Sequence, residues 1–176
     1  MRILAIAGSL RARSSNRIVL EALSNLAPPE IEIVLLETVG ALPLFNADLD
    51  TETPPTAITA LRAEVGRADG LVICSPEYAR GISAVLKNLL EWLVASAEFP
   101  DKPVAVINAS QRATEADGQL RLILKTMSAR LIEPACITMP MLGRDLDADG
   151  IVQDATLAAA LRQALSDYAT AIANPA

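Results

Sequence analysis

Three features of the sequence predict an α/β fold built on an open parallel sheet. Short apolar runs alternate with helix-length amphipathic segments along the 176 residues. The apolar runs are continuous rather than alternating in polarity, so helices are expected on both faces of the sheet. The repeating strand–helix order favours parallel strands joined by right-handed crossovers.

The first run, RILAIAG (2–8), reads as a strand, and residues 15–27 read as a helix with Ser14 or Ser15 available as its N-cap. IEIVLLE (31–37) is a second strand, and the Pro-marked stretch 40–56 is a loop leading to a helix near 57–68. GLVICS (70–75) is a third strand, and ISAVLKNLLEWL (82–93) carries one apolar face at helical spacing. PVAVINAS (103–110) is the fourth strand, a helix near 116–131 follows, and EPACITMP (133–140) is the fifth strand. A helix from about Asp154 to Ala173 closes the chain. No repeat or internal linker interrupts this order, so a single domain over 1–176 is expected. A chain of this length buries roughly 70% of the surface its unfolded form exposes.

Five such strands fit the flavodoxin-like order 2-1-3-4-5, a three-layer sandwich whose ligands sit beyond the carboxyl ends of the strands. The informative loops are then 8–16, 75–81 and 108–114.

Composition narrows the chemistry. Net charge is −6, which disfavours a nucleic-acid partner, and Arg11, Arg13 and Arg17 are the nearest approach to a basic stripe. The chain has no histidine, which rules out Ser-His-Asp and Cys-His nucleophilic sites and removes the commonest zinc ligand. Cys74 and Cys136 are far apart with no CxxC, so no metal site or disulfide framework is expected. No run reaches the roughly 18 apolar residues of a membrane span. MRILAIAGS is too short for a signal peptide, so a soluble cytoplasmic protein is the expectation. Chemistry without imidazole points to a bound cofactor.

GSLRARSSN (8–16) places hydroxyls and arginines just ahead of a helix start. The first-turn amides and the partial positive charge of that helix point back at the loop, which makes it an anion site. The loop lacks GxGxxG and a Gly-Lys-Ser/Thr ending, so a terminal monophosphate is the best candidate. In SPEYARG (75–81), Pro76 stiffens the turn, Gly81 permits close approach of a flat ligand, and Tyr78 brings an aromatic face. Glu77 reads equally as a solvated acid or as one directed at the site. Trp92 reads as a packing residue or an interface residue.

GSLRARSSN and SPEYARGISAVLKNLLEW resemble the two signature segments of the NADPH-dependent FMN reductase family, which includes quinone, azo-dye and chromate reductases. Gly8, Ser9, Arg11, Ser14 and Asn16 match the first segment. Pro76, Glu77, Tyr78, Gly81, Leu86, Lys87, Asn88, Glu91 and Trp92 match the second, and NASQRAT (108–114) resembles a third flavin-side loop. The likeness runs from Met1 to about Pro140. It implies that Ser9, Arg11, Ser14, Ser15 and Asn16 hold the FMN phosphate. It also implies that Pro76, Glu77, Tyr78, Ala79 and Gly81 line the isoalloxazine ring, with Ser110 nearby. Arg80, Ser83 and Ala84 depart from the family pattern beside the ring.

The implied activity is ping-pong hydride transfer from NADPH or NADH through FMN to a quinone, azo compound, metal oxyanion or free flavin. Such transfer needs no protein acid or base, so no catalytic side chain is named. A flavodoxin-type electron carrier is the alternative. The resemblance further implies a homodimer or homotetramer. The apolar helix ending at Trp92 and Leu93 would lie in that interface, with Lys87 or Glu91 at its rim or forming a pair one turn apart.

Overall fold

The computed structural model describes residues 1–174. Its sheet is parallel and contains β1 (Arg2–Ala7), β2 (Glu32–Leu35), β3 (Gly70–Cys74), β6 (Pro103–Asn108), β7 (Arg130–Leu131) and β8 (Ile137–Thr138). The spatial order is β2-β1-β3-β6, with β7 and β8 both on the outer side of β6. This is the flavodoxin-like 2-1-3-4-5 order. β4 (Glu77–Tyr78) and β5 (Gly81–Ile82) form a separate antiparallel hairpin that runs one residue past the predicted loop 75–81.

Alternate residues along each strand enter different cores. Leu4, Ile6, Leu71, Ile73, Val104 and Val106 pack under α2 (Thr56–Arg67), α3 (Ala84–Leu93) and α4 (Thr114–Thr126). Ile3, Ala5, Val72, Cys74, Ala105 and Ile107 pack under α1 (Ser15–Leu26), α5 (Ala148–Gln153) and α6 (Ala155–Ala173). Both sides of every central strand are therefore apolar, which is why the runs are continuous in sequence.

At the sheet's amino end the Tyr168 hydroxyl lies 2.8 Å from the carbonyl oxygens of Leu71 and Pro103. A Cβ on Gly70 would come within 2.3 Å of that hydroxyl, so only glycine fits there.

Two expectations need correction, and one short helix was not foreseen. The strand expected over 133–140 opens as a 3-10 turn at Glu133–Ala135 and pairs only at Ile137–Thr138, while β7 before it, in the segment expected to be helical, makes the other edge contact with β6. Pro134 has no N–H for a ladder and a fixed φ, which accounts for the turn. The helix expected to reach 131 stops at Thr126, and Ser128 takes a left-handed φ of 62° beyond it. A short helix, α5, precedes α6, with Asp147 and Asp154 each accepting backbone N–H bonds as caps.

Trp92 is wholly buried within its own chain, at 0% exposure. Its indole N–H donates to the Pro43 carbonyl (2.9 Å), which also accepts from Asn88, and its ring meets Phe45 edge-on at 5.0 Å. Trp92 is a packing residue that holds the 40–56 loop, and the interface reading of it is set aside. Leu93 is buried too, and Lys87 pairs with Glu91 at 2.6 Å along α3.

Candidate functional site

A cleft of about 420 Å³ opens at the carboxyl ends of the strands, within the usual range of small-molecule sites. It is walled by loop 1 (8–14), the segment after β3, the loop after β6, and the segment Met141–Arg144.

Loop 1 begins at Gly8, whose N–H donates to the Cys74 carbonyl (2.8 Å) and extends the β1–β3 ladder. A Cβ on Gly8 would lie 3.1–3.3 Å from Ser83 Oγ, Ser75 Oγ and Leu86 Cβ, so loop 1 seats closely on the start of α3. Ser9 is buried and its hydroxyl accepts from the Arg11 N–H (3.4 Å). Ser14 holds the N-cap position of α1 with extended backbone, yet its hydroxyl makes no cap bond. That hydroxyl is buried, at 2% residue exposure, and has no partner. Leaving it unpaired costs about 1–3 kcal/mol. The first turn of α1 contains no acidic residue. Together these donors fit an anion arriving at the helix start.

Ser15, Asn16 and Arg11 line the cleft. The Cys74 thiol donates to Asn16 Oδ1 (3.2 Å), which leaves the Asn16 amide NH₂ as its free end. Burial pushes the Cys74 thiol up to about 12, so it stays protonated in this role. Arg17 is diverted from the cleft by Glu21 and Glu37, and Arg13 by Asp145 (2.8 Å), so the basic stripe reduces to Arg11 at the cleft. Arg11 also borders a second hollow on the far side of loop 1, where Ser9 lies with Leu10 and Val39.

Pro76 and Glu77 line the cleft from the segment after β3. Glu77 Oε2 accepts from the N–H groups of Glu115 and Ala116, each at 3.0 Å. The cap position of α4 is Ala113, which has no side-chain acceptor, so Glu77 supplies the cap from 38 residues away. Gln119 Oε1 accepts from Ile82 N–H (2.9 Å) and adds a second tie between hairpin and helix. Of the two readings of Glu77, the acid is directed, but at α4.

Tyr78 (50% exposed), Ala79 and Gly81 sit on the hairpin and do not line the cleft. Ala79 and Arg80 both have positive φ, 49° and 62°. Two-residue turns of this kind favour Asn and Gly, and each non-glycine residue held so costs on the order of 1–3 kcal/mol.

The loop after β6 is pinned by Asn108, which accepts from Ser110 N–H (3.0 Å) and donates to the Ala113 carbonyl (3.0 Å). Ser110 lines the cleft and accepts from Arg112 N–H (3.3 Å). Sequence reasoning missed Ser75, Ala109, Arg112, Ala113 and the wall Met141–Arg144. The rule that located the other loops applies equally to the end of the last strand, and Pro140 with Gly143 (φ 75°) marks a turn there. Arg144 is held by Asp154 (3.2 Å). Among the described residues, no group of three or more His, Cys, Asp or Glu is placed to hold a metal ion.

Comparison with known proteins gives one family. Residues 1–141 match the family model described as NADPH-dependent FMN reductase. A quinone reductase from Pseudomonas putida is 33% identical over 141 residues, covering 78% of this chain and 74% of that protein. A 2-hydroxy-1,4-benzoquinone reductase from a Burkholderia species is 36% identical over 113 residues, covering 62% of this chain and 61% of that protein. Among solved structures, the flavoenzyme NAD(P)H:(acceptor) oxidoreductase FerB from Paracoccus denitrificans superimposes with a TM-score of 0.80. It shares 26% identity, and the match covers 98% of this chain and 97% of that one. This chain belongs to the NADPH-dependent FMN reductase family and is an oxidoreductase.

Proposed function

We propose that this family member binds FMN in the cleft and passes electrons from NADPH or NADH to a small oxidant, a quinone first among them. Azo compounds, metal oxyanions and free flavin are the further acceptors of the same reading. The observation that carries it is the start of α1, where Arg11, Ser15 and Asn16 line the cleft beside an uncapped first turn, with the unpartnered Ser14 hydroxyl buried just behind them. A terminal phosphate supplies the anion that this helix start and Arg11 lack.

Arg11, Ser14, Ser15 and Asn16, with Ser9 behind them, would hold that phosphate. Pro76 and Glu77 would support the ring through their backbone, flanked by Tyr78, Ala79 and Gly81 of the hairpin, with Ser110 on the facing loop. When bound, FMN supplies the hydride chemistry, and the protein supplies position and electrostatics. Loop 1 anchors one end of the ligand, and the pinned Asn108 loop keeps the opposite wall rigid. Glu77, the only carboxylate lining the cleft among the described residues, is turned to the α4 amides, which offset part of its repulsion of a phosphate.

The electron-carrier alternative gives way to the family's reductase activity. A homodimer or homotetramer completes the reading. Leu44 (83% exposed) and Phe45 bring apolar surface beside α3, where Phe45 N–H is fixed by Asn88 (2.7 Å). No described helix is long and apolar enough to cross a membrane, and the cytoplasm is the compartment proposed. The test is to purify the protein, release its ligand by heat and identify it by mass. FMN, together with bleaching of the visible spectrum by NADPH, supports the reading. FAD alone, or no flavin under saturating FMN, overturns it.

A further inference from the structure

Two arginines without a protein acceptor line the cleft, one on loop 1 and one on the loop after β6. Most of the chain's 15 lysines and arginines lie beside a carboxylate. Lys102 and Arg130 donate instead to the backbone carbonyls of Ala68 and Ala171. Among the described residues this leaves Arg11, Arg112 and Arg162 without a protein acceptor for their side chains. In a chain of net charge −6, two of those three line the same cleft.

Arg11 belongs with the phosphate donors of loop 1. Arg112 lies on the opposite wall, exposed at the rim, on the loop that Asn108 and Ser110 pin. The ribityl chain and oxidised ring of FMN add no further anion. Glu77 bonds the α4 amides rather than Arg112, so the Arg112 guanidinium has no carboxylate partner in the cleft. Its planar donor fork suits phosphate oxygens, and its place at the rim suits a ligand entering second.

We propose that Arg112 receives a phosphate of the nicotinamide dinucleotide and thereby fixes the hydride donor over the cleft. The proposal rests on the FMN reading above and names the residue that grips the co-substrate. Two phosphates of that molecule share the required chemistry, the diphosphate bridge and the 2′-phosphate of NADPH.

The experiment is calorimetric titration of the FMN-loaded protein with two redox-silent probes, ADP and adenosine 2′,5′-bisphosphate. Arg112→Ala is compared with wild type, with Arg112→Lys, and with Arg162→Ala. The last removes the same charge from a groove formed by α6 and the segment after α1. Arg112→Ala is expected to weaken nucleotide binding by about tenfold or more, the usual weight of a charge-assisted hydrogen bond. FMN affinity should be unchanged, Arg112→Lys should retain part of the nucleotide affinity, and Arg162→Ala should retain all of it. Loss for both probes assigns the diphosphate, and loss confined to the bisphosphate assigns the 2′-phosphate.

Unchanged nucleotide binding in Arg112→Ala overturns the proposal. So does weakened FMN binding with nucleotide binding intact, or equal losses in Arg112→Ala and Arg162→Ala. A wild type that takes up no FMN overturns the flavin reading and the proposal with it. A wild type that takes up FMN and nucleotides but is indifferent to Arg112 overturns the proposal alone.

Discussion

Two helices begin at the mouth of the cleft and treat their N-termini in opposite ways. α4 has alanine at its cap position, acids Glu115 and Asp117 in its first turn, and the Glu77 carboxylate on its amides. α1 has serine at its cap position, no acid in its first turn, and a buried hydroxyl with no partner. One terminus is satisfied by the protein's own anion and ties two loops together. The other leaves its donors without a protein anion. A helix start is a binding site only where the fold withholds its own acceptor.

The sharpest way to break this contrast is to give α1 the charge that α4 has. Ser15→Asp places a carboxylate in the first turn, at an exposed position lining the cleft. Two like charges 5 Å apart at an effective dielectric of 20 repel by roughly 3 kcal/mol, so FMN affinity should fall on the order of 100-fold. The flavin-free protein should keep or slightly raise its melting temperature, since an acid near a helix start stabilises it. FMN binding at wild-type strength would show that the phosphate does not sit at α1.

Arg11→Ala removes the cation and leaves the helix intact. It should weaken FMN binding by about 1.5–3 kcal/mol with no loss of fold, measured by titrating the apoprotein. Unchanged affinity would mean that backbone and serines carry the phosphate alone.

Glu77→Ala strips α4 of its borrowed cap. Two amides lose a charged acceptor, and the flavin-free protein should lose about 2 kcal/mol of stability in a urea titration. The same substitution at a merely solvated acid would leave the midpoint where it was.

Ser14→Ala should act with opposite signs on the two quantities. Removing an unpartnered buried hydroxyl should stabilise the flavin-free fold by about 1 kcal/mol and weaken FMN binding by a similar amount. A loss of stability without FMN would show that the hydroxyl already has a partner in solution.

The smallest effect concerns the thiol behind Asn16. The unfolded Cys74 titrates near 9.0 while burial holds the folded thiol up to about 12. The unfolded chain therefore loses its proton first, and stability present below pH 9 falls as pH rises from 9 towards 12. Half a unit above the lower value the loss is about 1 kcal/mol. Cys74→Ser keeps a donor for Asn16 without titrating there, so its stability should decline less than that of wild type between pH 8.5 and about 9.5.

Loop 1 was legible because its donors are neighbours in the chain: Ser9, Arg11, Ser14, Ser15 and Asn16 lie within eight residues, directly between a strand and a helix. The wall at Met141–Arg144 was not, because it belongs to the cleft only once the shortened fifth strand has delivered it there. Arg17 stands with Arg11 in the basic stripe of the sequence, and what takes it from the cleft is Glu21 with Glu37, the residue two beyond the end of β2. Trp92 is buried by a loop whose Pro43 carbonyl lies 49 residues earlier in the chain.

By itself the sequence determined the strand order, the two-sided sheet and the cluster of donors at the start of α1, since each follows from apolar periodicity or from residues a few positions apart. Only the tertiary structure decided that Glu77 caps α4, that Arg11 alone of the loop 1 arginines lines the cleft, and that Arg112 shares the cleft with it. Those outcomes depend on partners tens of residues away. Local pattern states which donors and acceptors exist, but packing around a shared core decides which of them meet.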